Sequence, residues 1–364
     1  MSEIRRCTRC VMDNAGDSTI TFDENGTCNY CRNAAAKMPF VYFPNDEGKK
    51  KLESMLHQLR EDGKGRDYDC MMGLSGGLDS SYLAYLGHQW GLRIYGVHID
   101  DGFDTDISKQ NLQKLSQACG IDLQIVKPDP EQYYALCKAY MLAGVPNLAV
   151  PQDNILFAAL FKEMKKHKVK WFLSGGNFAL ECVLQRGNTH SAMDLTNIRD
   201  IARRFDPQPI DKLPFLNELQ RNLIPYSTML PLNTIDYNRE RAFSELERFC
   251  GFQYYGRKHL ENEFTAFLQL KWLPEKFGVD KRKSHLSSMI VSGQMTREEA
   301  LCELSEPICP DGLMETYIAD IKQKLHISNS EFDAIMAAPT HAHTEYAVSP
   351  YLRLKGLIHH LIGR

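Results

Sequence analysis

The sequence predicts an α/β protein, a parallel sheet covered by helices, with a small four-cysteine module in front and a mainly helical region behind. Three observations carry this expectation. Short apolar runs alternate with helical patterns between residues 66 and 176. Two of those runs end in Ser-Gly-Gly, at Ser75-Gly76-Gly77 and Ser174-Gly175-Gly176. Two Cys-x-x-Cys pairs, Cys7/Cys10 and Cys28/Cys31, open the chain with seventeen residues between them.

A chain of 364 residues can bury a substantial core, so one large domain with smaller attachments is the natural organisation. Its 43 basic and 46 acidic residues leave a net charge near −3, which gives no field suited to nucleic acid. No apolar run is long enough to span a membrane, and the charged N-terminus lacks a signal-peptide core, so a cytoplasmic protein is expected. The four early cysteines have the spacing of a tetrahedral zinc shell, joined by a turn-rich segment that needs little core of its own. The other seven are scattered and read as small hydrophobes.

The elements follow in order. Residues 39–44 read as a linker. Leu52, Met55, Leu56 and Leu59 mark a helix that stops at Gly63 and Gly65. A buried strand then leads into Ser75-Gly76-Gly77, and Leu78, Leu83 and Leu86 begin a helix at once. Residues 92–99 form a second strand, 105–119 a helix capped by Gly120, and 123–126 a third strand. Helical patterns at 130–142 and 152–167 precede a fourth strand at 169–173. Prolines break the pattern from 183 to 245, though 236–249 reads as a helix stopped by Gly251. Thr296 with Glu299 signals a capping box. The expected division is a cysteine module over 1–37, linker and helix over 38–65, the α/β domain over 66–245 and a helical domain over 246–364.

In a parallel sheet ligands sit beyond the carboxyl ends of the strands. Asp79, Asp100, Asp101 and Asn177 fall there by sequence order. Gly76 and Gly77 allow close backbone approach. The first helical turn, with the hydroxyls of Ser75, Ser80 and Ser81, offers donors to phosphate oxygens. Asp79 is placed to hold magnesium and Asp100 to orient a nucleotide or metal. Glu181, four residues after Asn177, shares its helix face. Arg257, Lys258 and His259 form a polar stretch able to neutralise phosphate, or simply a solvated face.

The segment Gly73-Leu-Ser-Gly-Gly-Leu-Asp-Ser-Ser81 resembles the signature of the PP-loop ATP pyrophosphatases, the adenine nucleotide alpha hydrolase-like enzymes that split ATP into AMP and pyrophosphate. It lacks the Gly-Lys-Ser/Thr ending of the Walker loop. Taken whole, the chain resembles the N-acetyl sugar amidotransferases. The resemblance rests also on Cys7-Thr-Arg-Cys10, Cys28-Asn-Tyr-Cys31, Leu173-Ser-Gly-Gly-Asn177 and the late block Lys276-Phe-Gly-Val-Asp-Lys-Arg-Lys-Ser-His-Leu-Ser-Ser288, followed by Ser292-Gly-Gln-Met-Thr-Arg-Glu-Glu299. Where the family typically reads Lys-His and then Glu-Ser, this chain has Leu260-Glu261-Asn262.

The resemblance implies an ATP-dependent ligase that converts the N-acetyl group of a surface-glycan sugar to acetamidino, in lipopolysaccharide O-antigens or flagellin glycans built on pseudaminic or legionaminic acid. It implies ATP, Mg2+ and Zn2+ as cofactors. Ser75, Gly76, Gly77, Asp79, Ser80, Ser81, Asp100, Gly175, Gly176 and Asn177 would lie at the nucleotide, and Asp79, Glu181, Lys258 and His259 at the chemistry. Zinc would sit on Cys7, Cys10, Cys28 and Cys31. No cysteine carries glutaminase surroundings, so ammonia is expected from separate glutaminase and cyclase-like subunits, with no nucleic-acid or membrane partner. Arg186, Arg199, Arg203 and Arg204 are candidates for a sugar carboxylate. The competing readings are a PP-loop tRNA-thiolating enzyme, which needs a broad basic face, and a zinc-stabilised scaffold that merely holds nucleotide.

Overall fold

The computed structural model describes residues 4–206, 209–256 and 260–354. Helices α1 (Asn29–Val41) and α2 (Asp46–Asp62) precede the first strand. Pro39, read as the start of a linker, lies inside α1, which continues directly out of the cysteine module. The helix has begun at Cys28, whose sulfur accepts the Cys31 N–H. Proline near its far end costs only one late backbone bond.

Five parallel strands form one sheet in the order β3-β2-β1-β4-β5. They are β1 (Cys70–Gly73), β2 (Ile94–Ile99), β3 (Asp122–Val126), β4 (Trp171–Leu173) and β5 (Ser227–Met229). In the centre, Met72 of β1 lies opposite Gly96 on one side and Leu173 on the other. Cys70, Met71 and Met72 are fully buried, as an apolar strand covered on both faces must be. β5 is an element the sequence reading did not anticipate. It has three residues, two of them exposed, between Pro225 and Pro231, too short to show a period.

Helix α3 (Leu78–Gln89) connects β1 to β2, and α4 (Asp106–Cys119) connects β2 to β3. Thr105 caps α4 by accepting the Ser108 N–H, and Gly120 closes it at φ 63°. Helices α5 (Pro130–Leu142) and α6 (Val150–Lys166) lead to β4. After β4 come the short α7 (Phe178–Glu181), then α8 (Leu195–Phe205) and α9 (Glu218–Leu223). Past β5 lies α10 (Arg239–Cys250).

The last region is helical among its described residues. Helix α11 (Glu263–Phe267) widens into a π-helical turn, Leu268–Trp272, and continues as α12 (Leu273–Phe277). Pro274 lacks an N–H, and the wider turn before it relieves its ring from the preceding carbonyls. Helices α13 (Arg282–Val291), α14 (Arg297–Ser305), α15 (Leu313–Lys324) and α16 (Asn329–Ala337) follow. The anticipated Thr296–Glu299 capping box opens α14.

Two apolar cores position the site. One joins the cysteine module to α3, α4 and α10, through Cys10, Leu83, Leu115 and Leu246. The other gathers α5, α8, α11, α12, α15 and α16 around Tyr140, Trp272 and Phe332. Phe103, in the loop after β2, belongs to the second core and stacks on Phe264 at 5.2 Å. The C-terminal helices thereby grip a loop that leaves the sheet beside the site. Among the described residues no helix is long and apolar enough to cross a membrane.

Candidate active site

Strand order decides where the cleft lies. From β1 the chain winds outward through β2 and β3, then returns to the other side of β1 with β4 and β5. The crossovers on the two sides leave a crevice beyond the carboxyl ends of β1 and β4, the switch point of such a sheet. Both Ser-Gly-Gly loops emerge there, and a cleft of about 490 Å3 opens between them.

The two loops interlock. Gly76 adopts φ +76°, and a side chain on it would meet the Ser108 carbonyl at 2.6 Å. A Cβ on Gly175 would sit 3.0 Å from the Ser80 nitrogen. Ser75, Gly77, Asp79 and Ser80 line the cleft, with Gly175, Gly176 and Glu181 facing them. The donors of the first turn were expected to be free, but two have internal acceptors. Gly77 N–H donates to Ser75 Oγ at 3.1 Å, and Leu78 N–H donates to the Tyr255 hydroxyl at 2.7 Å. These hydroxyl oxygens occupy positions that phosphate oxygens could take, so the loop fits an anion.

Other expected residues lie elsewhere. Ser81 is buried, its hydroxyl makes no hydrogen bond, and it does not line the cleft. α3 turns it away from the loop, towards the core. Asp100 also lies outside the cleft lining. It pairs with Lys127 at 2.9 Å and accepts the Gly102 N–H; burial raises its pKa, but Lys127, the Gly102 N–H and Lys109 together hold it below the ordinary value. Asn177 caps α7, accepting the Leu180 N–H at 2.8 Å and donating to the Gly175 carbonyl, so it shapes the second loop from behind. Lys258 and His259 lie outside the described residues. Arg203 and Arg204 pair with Asp200, and neither they nor Arg186 and Arg199 line the cleft.

Several residues in the cleft or just behind it, as the buried Tyr237 is, were missed because they come from distant segments. Tyr237 donates to Asp79 Oδ1; burial first, then the Asp79 charge, raises its phenol well above the ordinary range. Tyr255 is raised likewise, by burial and then by Glu261. The 103–105 segment pairs with 261–263: Thr105 N–H donates to the Glu261 carbonyl at 3.0 Å, and Glu263 N–H to the Phe103 carbonyl at 2.7 Å. This pairing delivers Glu261 to the loop, where Ser75 Oγ donates to it at 3.5 Å. The segment Glu261-Asn262, which departs from the family pattern, therefore lines the cleft.

Behind the loop, His98 is 6% exposed and has an acceptor at each ring nitrogen. Nδ1 faces the Leu74 carbonyl at 2.7 Å, and Nε2 faces Asp104 Oδ2 at 2.8 Å. Both acceptors are satisfied together when both nitrogens carry hydrogen, so the surroundings favour the imidazolium. Burial lowers its pKa, but Asp104, the Leu74 carbonyl and Asp100 together outweigh that and the net shift is upward. Next to it Asp101 is almost wholly buried, and burial followed by the Asp104 charge pushes its pKa up to about 6. It accepts from Tyr133, Gln152, Asn262 and the Phe103 N–H, tying four segments together.

The four module cysteines are buried, unbridged, and hold their sulfurs within 4.8 Å of one another. The Cys10–Cys28 sulfur separation is 3.8 Å, close to the edge of a tetrahedron with metal–sulfur bonds of about 2.3 Å. Backbone N–H groups point at the sulfurs: Arg9, Cys10 and Cys28 donate to Cys7, and Met12 donates to Cys10. Hydrogen bonds from Cys10 and then Cys28 and Cys31 favour the Cys7 thiolate and lower its pKa. The cluster is capable of coordinating a metal. Arg297 clasps the Cys10 and Cys7 carbonyls, and Lys283 pairs with Asp13 at 2.6 Å, so the late basic block anchors this module.

Residues 261–357 match the family described as LPS biosynthesis protein WbpG-like, C-terminal domain. Among solved structures the chain is similar to an NMN synthetase from Francisella tularensis, with 12% identity over 78% of this chain and 95% of that one at a TM-score of 0.35. It is similar to an NH3-dependent NAD synthetase from Campylobacter jejuni, with 12% identity over 81% and 98% at 0.35. It is also similar to an NAD+ synthetase from Burkholderia pseudomallei, with 14% identity over 63% and 95% at 0.29. Superpositions this loose carry no argument, and no curated protein matches the chain. The WbpG-like segment supplies Glu261, Asn262, Thr265, Gln269 and His285 to the cleft. The segment that matches the WbpG-like C-terminal domain is thus set against a Ser-Gly-Gly-x-Asp-Ser loop on a parallel sheet.

Proposed function

We propose that this protein is the synthetase component of an amidotransferase that turns the N-acetyl group of a bacterial surface-glycan sugar into an acetamidino group at the expense of ATP. The observation that carries the reading is the pair of interlocked Ser-Gly-Gly loops at the sheet's switch point, walled by a segment matching a lipopolysaccharide-biosynthesis family. An amide is a poor electrophile because its nitrogen donates into the carbonyl. Transfer of AMP to the amide oxygen makes that oxygen a leaving group. Ammonia then adds to the carbon and AMP departs.

The chain's own part is alignment and charge stabilisation. Ser75, Gly77 and Ser80 cradle the departing pyrophosphate, Gly76 bends the loop from outside the cleft lining, and Asp79, steadied by Tyr237, faces the magnesium side. Magnesium bound there would neutralise phosphate charge. Glu181 and Glu261 flank the acceptor, and Arg239 at the rim, which reaches the Tyr254 hydroxyl, suits an anionic sugar better than the arginines singled out from sequence. Zinc on the four cysteines serves as a structural staple. Ammonia comes from separate glutaminase and cyclase-like subunits. Lys258 and His259 remain part of the proposed chemistry.

The test is mass spectrometry of purified protein with Mg–ATP, ammonium and a panel of acetamido sugars. A product lighter by the difference between O and NH, with AMP and pyrophosphate, is the expected result and names the sugar. If no sugar changes and tRNA instead triggers ATP–pyrophosphate exchange, the thiolation reading takes its place.

A further inference from the structure

Asp101 is 4% exposed and lies just behind the cleft lining. Four donors surround its carboxylate, and among the described residues none of them is a lysine or arginine. The Phe103 N–H and Asn262 Nδ2 reach Oδ1 at 3.0 and 2.9 Å, while the Tyr133 hydroxyl and Gln152 Nε2 reach Oδ2 at 3.0 and 2.6 Å. A carboxylate has room for about four such donors, so this one is saturated. With a pKa of about 6 it is ionised at neutral pH.

An ionised carboxylate offers acceptors alone, and that fixes how a carboxamide beside it must lie. Gln152 and Asn262 both turn their NH2 groups to Asp101, so their oxygens face the other way. Asn262 Oδ1 accepts the Thr265 N–H at 3.0 Å as the cap of α11. Gln152 Oε1 accepts, among the described residues, only from Thr265 Oγ1, in a long contact of 3.5 Å. Gln152 and Thr265 are half-buried and line the cleft, so this oxygen lies at the cleft face with a lone pair to spare.

We propose that Gln152 determines specificity by accepting the N–H of the substrate's acetamido group, and that Asp101 is the positioning residue that keeps the Gln152 oxygen turned to the cleft. This rests on the amidation reading given above. The fixed orientation points to the ligand class. A hydroxyl donates and accepts, so either face of a carboxamide would serve it. A phosphate offers acceptors and would call for the NH2 group. An amide N–H is a donor of fixed direction and requires the oxygen. In a planar trans amide the N–H and C=O point in opposite directions, so holding the N–H aims the attacking oxygen away from this wall. The adenine amino group is the other fixed donor in the reaction. The origin of the wall favours the sugar: Asn262, Thr265 and Gln269 all come from the segment that matches the lipopolysaccharide-biosynthesis family, not from the sheet.

The test compares Asp101→Asn and Gln152→Met with wild type, melting curves showing that each folds. The Phe103 N–H cannot turn, so in Asp101→Asn the oxygen stays opposite it and the NH2 group takes the place of Oδ2. The Gln152 carboxamide must then turn over and present its own NH2 group to the cleft. Gln152→Met leaves the carboxylate in place and removes the oxygen, so it decides the role of Gln152 even if Asp101→Asn does not fold. In both variants the KM for the acetamido sugar should rise about tenfold, with the KM for ATP within about twofold of wild type. Because Asp101 acts through Gln152, the double variant should be no worse than Gln152→Met alone. Losses that multiply in the double variant would overturn the positioning role. A raised KM for ATP with sugar kinetics unchanged would give Gln152 to the adenine and overturn the ligand assignment, as would unchanged kinetics for both. If the wild type converts no acetamido sugar, the amidation reading falls and this assignment falls with it.

Discussion

His98 shows how one buried side chain can set the shape of a loop it is not part of. Its imidazolium joins the carbonyl immediately before Ser75 to Asp104, so the loop's entry is fixed by a charge–dipole contact on one side and an ion pair on the other. Hydrogen bonds to charged partners contribute about 1.5–3 kcal/mol. The native pKa is raised above 6.5, so this stabilisation is complete below about pH 6.5 and fades as pH rises through the higher native value. His98→Gln should lower stability most at mildly acidic pH, with the gap to wild type closing toward alkaline pH. Urea denaturation of both proteins across that range checks it; a gap that widens with pH overturns the imidazolium assignment.

At the scale of elements, strand, loop and helix have different tolerances. Gly76 needs its left-handed φ of +76° and has the Ser108 backbone 2.6 Å from any added Cβ. The left-handed conformation alone costs a non-glycine residue about 1–2 kcal/mol. The clash adds to this, and Gly76→Ala should lose about 2–4 kcal/mol of stability. Gly77 has φ −79°, and its nearest obstacle is the movable end of Glu261. Gly77→Ala should therefore melt close to wild type while its methyl group fills the cradle and weakens nucleotide binding at least tenfold. Calorimetric binding of ATP alongside melting curves separates the two effects. Equal damage to stability in both variants would contradict this account.

At the scale of the whole molecule, the cysteine module is fastened to the cleft through one helix. Val11 N–H donates to Ser287, Lys283 pairs with Asp13, and the same α13 carries His285 into the cleft. Ser288 of α13 in turn accepts the Val183 N–H just beyond α7. Metal lost from the four cysteines should loosen α13 and the site together. Cys28→Ser is expected to release the metal and lower stability by about 3 kcal/mol, roughly 4 °C for a chain of this size. Turnover should fall in parallel with the folded fraction. Elemental analysis and melting curves provide the check. Activity lost at unchanged melting temperature would make the metal catalytic rather than structural.

Local signals in the sequence determined the strands β1 to β4, the helices between them, the glycine caps at 120 and 251, the Thr296 box and the cysteine cluster. Each of these is written in a few neighbouring residues, through apolar periodicity, capping chemistry or ligand spacing. The three-residue β5 and the helical Pro39 escaped, because an edge strand that short has no period and a late proline costs a helix little. The partners in the cleft could be decided only by tertiary structure. Tyr237 meets Asp79 across 158 positions and Glu261 meets Ser75 across 186. Their own neighbourhoods carry no sign of this, because such contacts depend on the order in which strands assemble and on the packing of a distant helical core. The same assembly drew Asp100 to Lys127 and turned Ser81 inward.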